Sequence, residues 1–113
     1  MNVTAESYGH AVILKLKGEL TADSLDGFKK AVEHQLEGHE VLDLVLDLEE
    51  VPFIDSAALE YLVDLQEGLA EKLGRVKLAK CDENLHKIME ITRLDTSFEI
   101  FGDIAEAVKA IEP

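Results

Sequence analysis

Residues 41–59 read Val41-Leu42-Asp43-Leu44-Val45-Leu46-Asp47-Leu48-Glu49-Glu50-Val51-Pro52-Phe53-Ile54-Asp55-Ser56-Ala57-Ala58-Leu59, and the fold turns on how this stretch divides. Its first half alternates. Leu42, Leu44, Leu46 and Leu48 fall on one side of an extended chain, with Asp43, Val45 and Asp47 on the other, because successive side chains of a strand point to opposite faces. The pattern predicts a strand over 41–48 with a buried leucine face. Pro52 then bars both a helix and a central ladder position. From Ser56 onward the apolar spacing becomes helical, with Leu59, Leu62, Val63, Leu69 and Leu73 on one side and Gly74 beyond them. That predicts a long helix from Ser56 to about Leu73, stopped by Gly74.

The same reading extends outward in both directions. Ala11 to Lys17 is rich in aliphatic and β-branched residues and ends at Gly18, which predicts a strand and a turn. Val3 to Ser7 supplies a short antiparallel partner across Tyr8-Gly9-His10. Thr21 opens a helical pattern carrying Leu25, Phe28, Val32 and Leu36, which Gly38 closes. Downstream, Arg75 to Lys80 is a strand, Asp82 caps a helix bearing Leu85, Ile88 and Met89 that runs to Leu94, and Ser97 to Phe101 is a last short strand. Asp103 starts a terminal helix with Ile104, Ala107, Val108 and Ile111. The order is β-β-α-β-α-β-α-β-α: an α/β domain with about four helices. Its short connections force a mixed, mostly parallel sheet through right-handed crossovers.

A chain of 113 residues fits one domain, expected over 1–113, with enough length to build a core without staples. One cysteine, Cys81, rules out an internal disulfide framework and points to a reducing compartment. Neither a signal-like N-terminus nor a run of 18 apolar residues is present, so a cytoplasmic location without direct membrane insertion is expected. Lysine plus arginine number 11 against 24 acidic residues, a net charge of −13. That balance argues against nucleic acid as a direct ligand, and it either favours a partner with a basic surface or serves only solubility.

Chemistry-bearing clusters are missing from the pattern. His10, His34, His39 and His86 fall in separate elements without metal-ligand spacing, neither common phosphate-binding glycine motif occurs, and no metal or cofactor is expected. Cys81 has only Lys80 as a cationic neighbour, too little for a nucleophile, and fits a small buried hydrophobe. Adjacent acids such as Glu49-Glu50 are not carboxylates facing each other across a cleft. The chain is therefore expected not to be an enzyme, with no catalytic residues.

What remains is the strand-to-helix handover, where Ser56 occupies or adjoins the N-cap. Asp and Ser before an apolar helix are ordinary caps. A hydroxyl at that position is also exposed and near the positive end of the helix dipole, so a phosphate added there would leave the fold intact and change its surface.

The run Leu46-Asp47-Leu48 followed by Val51, Phe53, Asp55 and Ser56 resembles the STAS domain family, the fold of bacterial anti-sigma factor antagonists and of the cytoplasmic tails of sulfate transporters. Leu16-Lys17-Gly18-Glu19-Leu20 is similar to its strand-ending turn, and Ile88-Met89-Glu90-Ile91-Thr92-Arg93-Leu94 with Phe98-Glu99-Ile100-Phe101 to its closing helix and strand. Each piece is weak alone, but their order and spacing together are specific. The resemblance implies that Ser56, directly after Asp55, is phosphorylated by an anti-sigma factor that is itself a serine kinase. The resemblance further implies a phosphatase that resets the switch, and regulation of transcription through partner switching. Asp55, Ser56, Ala57, Ala58, Glu60, Tyr61 and Asp64 are then the expected partner-binding residues, on a helix whose polar side continues through Glu67 and Glu71. Ala57-Ala58 departs from the family, which usually places glycine at the second position, and makes a stiffer helix start. The alternatives are a STAS accessory subunit of an ABC-type lipid transport complex, in which Ser56 is only a cap, and a signalling scaffold.

Overall fold

The computed structural model describes residues 1–37 and 43–110. The chain begins with a hairpin, β1 (Asn2–Tyr8) and β2 (Ala11–Lys17), paired in register from Asn2↔Lys17 to Tyr8↔Ala11. Gly9, at φ 60°, takes the first of the two loop positions, where a tight hairpin turn needs positive φ. Next come α1 (Leu25–Leu36), β3 (Asp43–Glu50), α2 (Ser56–Ala70), β4 (Arg75–Ala79), α3 (Glu83–Ile91), β5 (Glu99–Phe101) and α4 (Ile104–Lys109). The five strands form one sheet in the order β1-β2-β3-β4-β5, antiparallel at the first pairing and parallel at the rest. The expected mixed sheet and element order are what the structure has.

One face of the sheet carries the main core. Val12, Leu14 and Leu16 of β2, Leu44, Leu46 and Leu48 of β3, and Val76 and Leu78 of β4 meet Phe28 and Val32 of α1, Leu59, Leu62 and Leu69 of α2, and Leu85 and Met89 of α3. The three crossover helices therefore share one side. Each of these aliphatic side chains contributes roughly 1.5–3 kcal/mol when fully buried. The leucine face of β3 is buried as predicted at 44, 46 and 48; Val41 and Leu42 lie outside the described residues, as do Gly38 and Ile111. Beyond what alternation indicated, the opposite face of β3 is covered too. Helix α4 seals Val45, Ala79 and Ala107 with Ile13, Phe101 and Ile104, leaving Asp47 only 6% exposed.

Several boundaries differ from the sequence pattern, each for a local reason. Helix α1 starts at Leu25 instead of Thr21, because the Ser24 hydroxyl donates to the Glu19 carbonyl (2.8 Å) and accepts from the Thr21 amide (3.0 Å), holding 21–24 as a turn. Helix α2 ends at Ala70, and Leu73, at φ 65°, makes the left-handed step that lets the Gly74 amide reach the Leu69 carbonyl at 2.8 Å. Helix α3 stops at Ile91 in the same way, with Arg93 at φ 61° and the Leu94 amide on the Met89 carbonyl. Strand β4 ends at Ala79 because Lys80 turns to φ 60°. Strand β5 begins at Glu99, since Ser97 and Phe98 donate back to the Leu94 carbonyl.

Candidate functional site

The loops that follow β2 and β3 leave the same end of the sheet and stay joined beyond it. Gly18 donates to the Glu50 carbonyl, Leu20 to the Phe53 carbonyl, and Asp55 back to the Leu20 carbonyl, at 2.9–3.1 Å. Leu20 and Ile54 bridge in parallel and are both buried, so the pair acts as an apolar pin beneath the loops. Gly18, at φ 117°, supplies the backbone conformation that turns the first loop onto the second.

Asp55 is the N-cap of α2, one residue before the serine that the sequence singled out. Its Oδ1 accepts from the Ala58 amide at 3.0 Å, the usual capping bond, and its Oδ2 accepts from the Ala22 amide of the neighbouring loop at 2.8 Å. One carboxylate thus caps the helix and clamps the two loops together. The Ala58 amide most of all, then the Ala22 amide, hold its pKa below the ordinary aspartate value, so the clamp is ionised at neutral pH.

With Asp55 serving as the cap, Ser56 becomes the first residue of the helix. It is exposed, and among the described residues no hydrogen bond engages its hydroxyl. Ala57 is half-buried and Ala58 fully buried in the core cluster; Leu59 and Leu62 fix the helix on the sheet. Glu60 and Asp64 are exposed, and Glu67 and Glu71 extend their acidic stripe. Tyr61 stands apart from that stripe. It is half-buried between α1 and α2, with the Phe28 ring packed edge-on at 5.7 Å and Lys29 Nζ 5.1 Å above its own ring. Burial first, and the Glu33 charge second, push its hydroxyl pKa up. The structure therefore brings Asp55, Ser56, Ala57, Glu60 and Asp64 to one surface, and directs Tyr61 mainly to the helix packing.

Sequence reasoning passed over several contributors to this surface. Phe53 is 41% exposed on the loop just before the cap, an uncovered aromatic within three residues of Ser56. Beside it, Asn84 Nδ2 donates to the Pro52 carbonyl at 3.1 Å, tying the first turn of α3 to this loop. Ala22 and Asp23, exposed on the clamped loop, widen the surface from the other side. The signal for Phe53 was an aromatic following a proline that cannot lie in a strand interior; no local pattern marked Ala22 or Asn84.

Among the described residues no three His, Cys, Asp or Glu side chains cluster as ligands. Burial, reinforced by the Asp82 charge, raises the Cys81 thiol to about 11, far from a reactive thiolate. No helix among the described residues is long and apolar enough to cross a membrane.

The sequence over residues 2–107, which includes this two-loop clamp and the helix after it, matches the STAS domain model. The chain belongs to the STAS domain family. Among its relatives, a Thermotoga neapolitana protein named as a candidate anti-sigma factor antagonist is 28% identical over 101 residues, 89% of each chain. The anti-sigma F factor antagonist of Paenibacillus polymyxa is 24% identical over 116 residues, 99% of this chain and 97% of that one. The unphosphorylated form of the anti-sigma factor antagonist SpoIIAA has the same fold, with a TM-score of 0.81 at 18% identity over 99% of this chain and all of that one. The phosphorylated form of SpoIIAA, a Bacillus cell fate determinant, gives 0.75 at 17% identity over 98% of this STAS domain and all of that chain.

Proposed function

We propose that this STAS domain is an anti-sigma factor antagonist that switches partners through phosphorylation of Ser56. One observation carries the reading: Asp55 takes over the capping role, so the Ser56 hydroxyl is exposed and uncommitted at the head of α2. The relatives' names supply the class of partner, an anti-sigma factor, and we take that partner to be a serine kinase. Asp55, Ser56 and Ala57, with Glu60 and Asp64, would form the contact, with Ala58 buried beneath them and Phe53 an apolar anchor beside them. The acidic stripe complements a basic kinase surface and favours fast encounter over raw affinity.

The switch follows from charge. Phosphorylation adds about −1.5 to −2 charges next to an ionised Asp55. The helix dipole offsets only about 0.3–1 kcal/mol of that at an exposed helix start. A partner seated over the loop would have to desolvate the phosphate beside another anion, a cost of several kcal/mol, and each 1.4 kcal/mol is tenfold in affinity. Release wins, and a phosphatase restores the binding form. We infer that the protein acts in the cytoplasm as a binding module without catalysis of its own.

The experiment is incubation with ATP and a serine kinase of the anti-sigma factor class from the same organism, followed by intact mass. Wild type should gain one phosphate and Ser56→Ala none, while Ser56→Ala should hold the kinase whether or not ATP is present. If wild type gains no phosphate, or Ser56→Ala gains as much, Ser56 is only part of the helix start. The reading as an accessory subunit of an ABC-type transport complex then takes its place.

A further inference from the structure

The open sheet has two edge strands, the three-residue β5 and the seven-residue β1, and the hairpin makes β1 the long one. All seven of its residues pair with β2 on one side. The two-residue Gly9–His10 loop makes Tyr8 and Ala11 a hydrogen-bonded pair, and antiparallel alternation then sets Glu6–Ile13, Thr4–Lys15 and Asn2–Lys17 as the others. The amides and carbonyls of Val3, Ala5 and Ser7 therefore point outward along an edge that no other strand among the described residues pairs with. Strand edges of this length are ordinarily blunted by proline, lysine or a bulge. Asn2-Val3-Thr4-Ala5-Glu6-Ser7-Tyr8 has no proline or lysine, one charge, and a pairing without register shift.

We propose that this edge pairs with the same strand of a second copy of the chain, antiparallel and centred on Ala5, joining two five-stranded sheets into one. The register follows from the residues. Centring on Ala5 places Val3 opposite the partner's Ser7 and Ala5 opposite itself, so each outward amide meets an outward carbonyl. Thr4 then faces the partner's Glu6 and Asn2 the partner's Tyr8, and no like charges oppose. Centring on Ser7 would use less of the strand.

Charge complementarity across the junction selects a second copy over an unrelated strand. Thr4 is flanked on its own sheet by Lys15, so in the joined sheet Lys15, Thr4 and the partner's Glu6 lie in one row on one face, and the two-fold axis repeats it. Lys17, Asn2 and the partner's Tyr8 make the next row, with Tyr8 58% exposed before pairing. Lys15 and Lys17 line an open cleft beside β1 with Asn2, Thr4 and Glu50, which leaves their side chains room to reach across. Among the described residues Lys15 makes an exposed contact to Glu50 at 3.7 Å, which it can exchange. Pairing by one edge buries little area, so the dimer belongs to the weak class and responds to concentration.

The test is sedimentation equilibrium of the full chain across about 10 μM to 1 mM, with amide exchange read at the two ends of that range. Dimer should accumulate with concentration, and protection should rise at the Val3, Ala5 and Ser7 amides while Thr4 and Glu6 are protected throughout. Ala5→Pro, which removes an outward amide and leaves the β2 ladder whole, should give a monomer with unchanged far-ultraviolet circular dichroism. Glu6→Lys should weaken dimerisation about tenfold or more by facing the partner's Lys15, and adding Lys15→Glu should restore it. A wild type that stays monomeric throughout overturns the proposal and leaves the edge to a strand of another protein. A dimer indifferent to Glu6→Lys, or one without new protection at Val3, Ala5 and Ser7, overturns it as well.

Discussion

Ala58→Gly isolates what this chain does differently at the head of α2. The substitution deletes one methyl group and no hydrogen bond, because the Ala58 amide still donates to Asp55 Oδ1. That methyl is 0% exposed and belongs to the core cluster with Leu59 and Leu62, so its loss forfeits about 0.8 kcal/mol of burial. Glycine adds the cost of a freer backbone, up to about 1 kcal/mol in a helix interior and about half of that in the first turn. Together the loss should be about 1.5 kcal/mol. In urea, with a slope near 1.5 kcal/mol/M for a domain of this size, the midpoint should fall by about 1 M. Ala57→Gly is the control: its side chain is half-buried and outside the core cluster, so about 0.5 kcal/mol is expected. Equal losses at the two positions, or a larger one at 57, would refute the claim that position 58 is a packing site as well as a helix residue.

Three further outcomes test the surrounding structure. Lys77 is 3% exposed and its ammonium lies 3.1 Å from Glu99, which is 44% exposed; Glu99→Gln should cost about 2–3 kcal/mol by chemical denaturation, and under about 0.5 in a Lys77→Met background, while equal costs in both would show the pair is not coupled. Because the native pKa of Asp55 is depressed, its ionisation stabilises the fold above the ordinary aspartate value of 3.8 and that stabilisation is lost as pH falls through the lower native value. The stability gap between wild type and Asp55→Asn should accordingly shrink on acidification from pH 5 towards about pH 2, and a gap independent of pH would contradict the clamp. Gly68 is exposed on α2 with nothing within 4 Å of an added methyl group; Gly68→Ala should raise stability by up to about 1 kcal/mol, and a loss would reveal a constraint on that face.

Sequence alone determined the element order, since period-two and helical spacings are local properties of the chain and change sharply at Pro52 and Ser56. It also determined the caps at Asp82 and Asp103 and the exposed helix start at Ser56, because capping is settled within four residues. Tertiary structure decided the rest. Which of Asp55 and Ser56 caps α2 depended on the Ala22 amide, 33 residues away, which claims the second carboxylate oxygen and commits Asp55 to the clamp. The burial of Val45 and Asp47 required α4 to fold back across β3 and β4 from the far end of the chain. Tyr61 reads as a surface residue on a helical wheel, and only the approach of Phe28 and Lys29 from α1 draws it inward. Local spacing fixes what a segment becomes; contacts between segments distant in sequence fix which side chains it leaves for a partner.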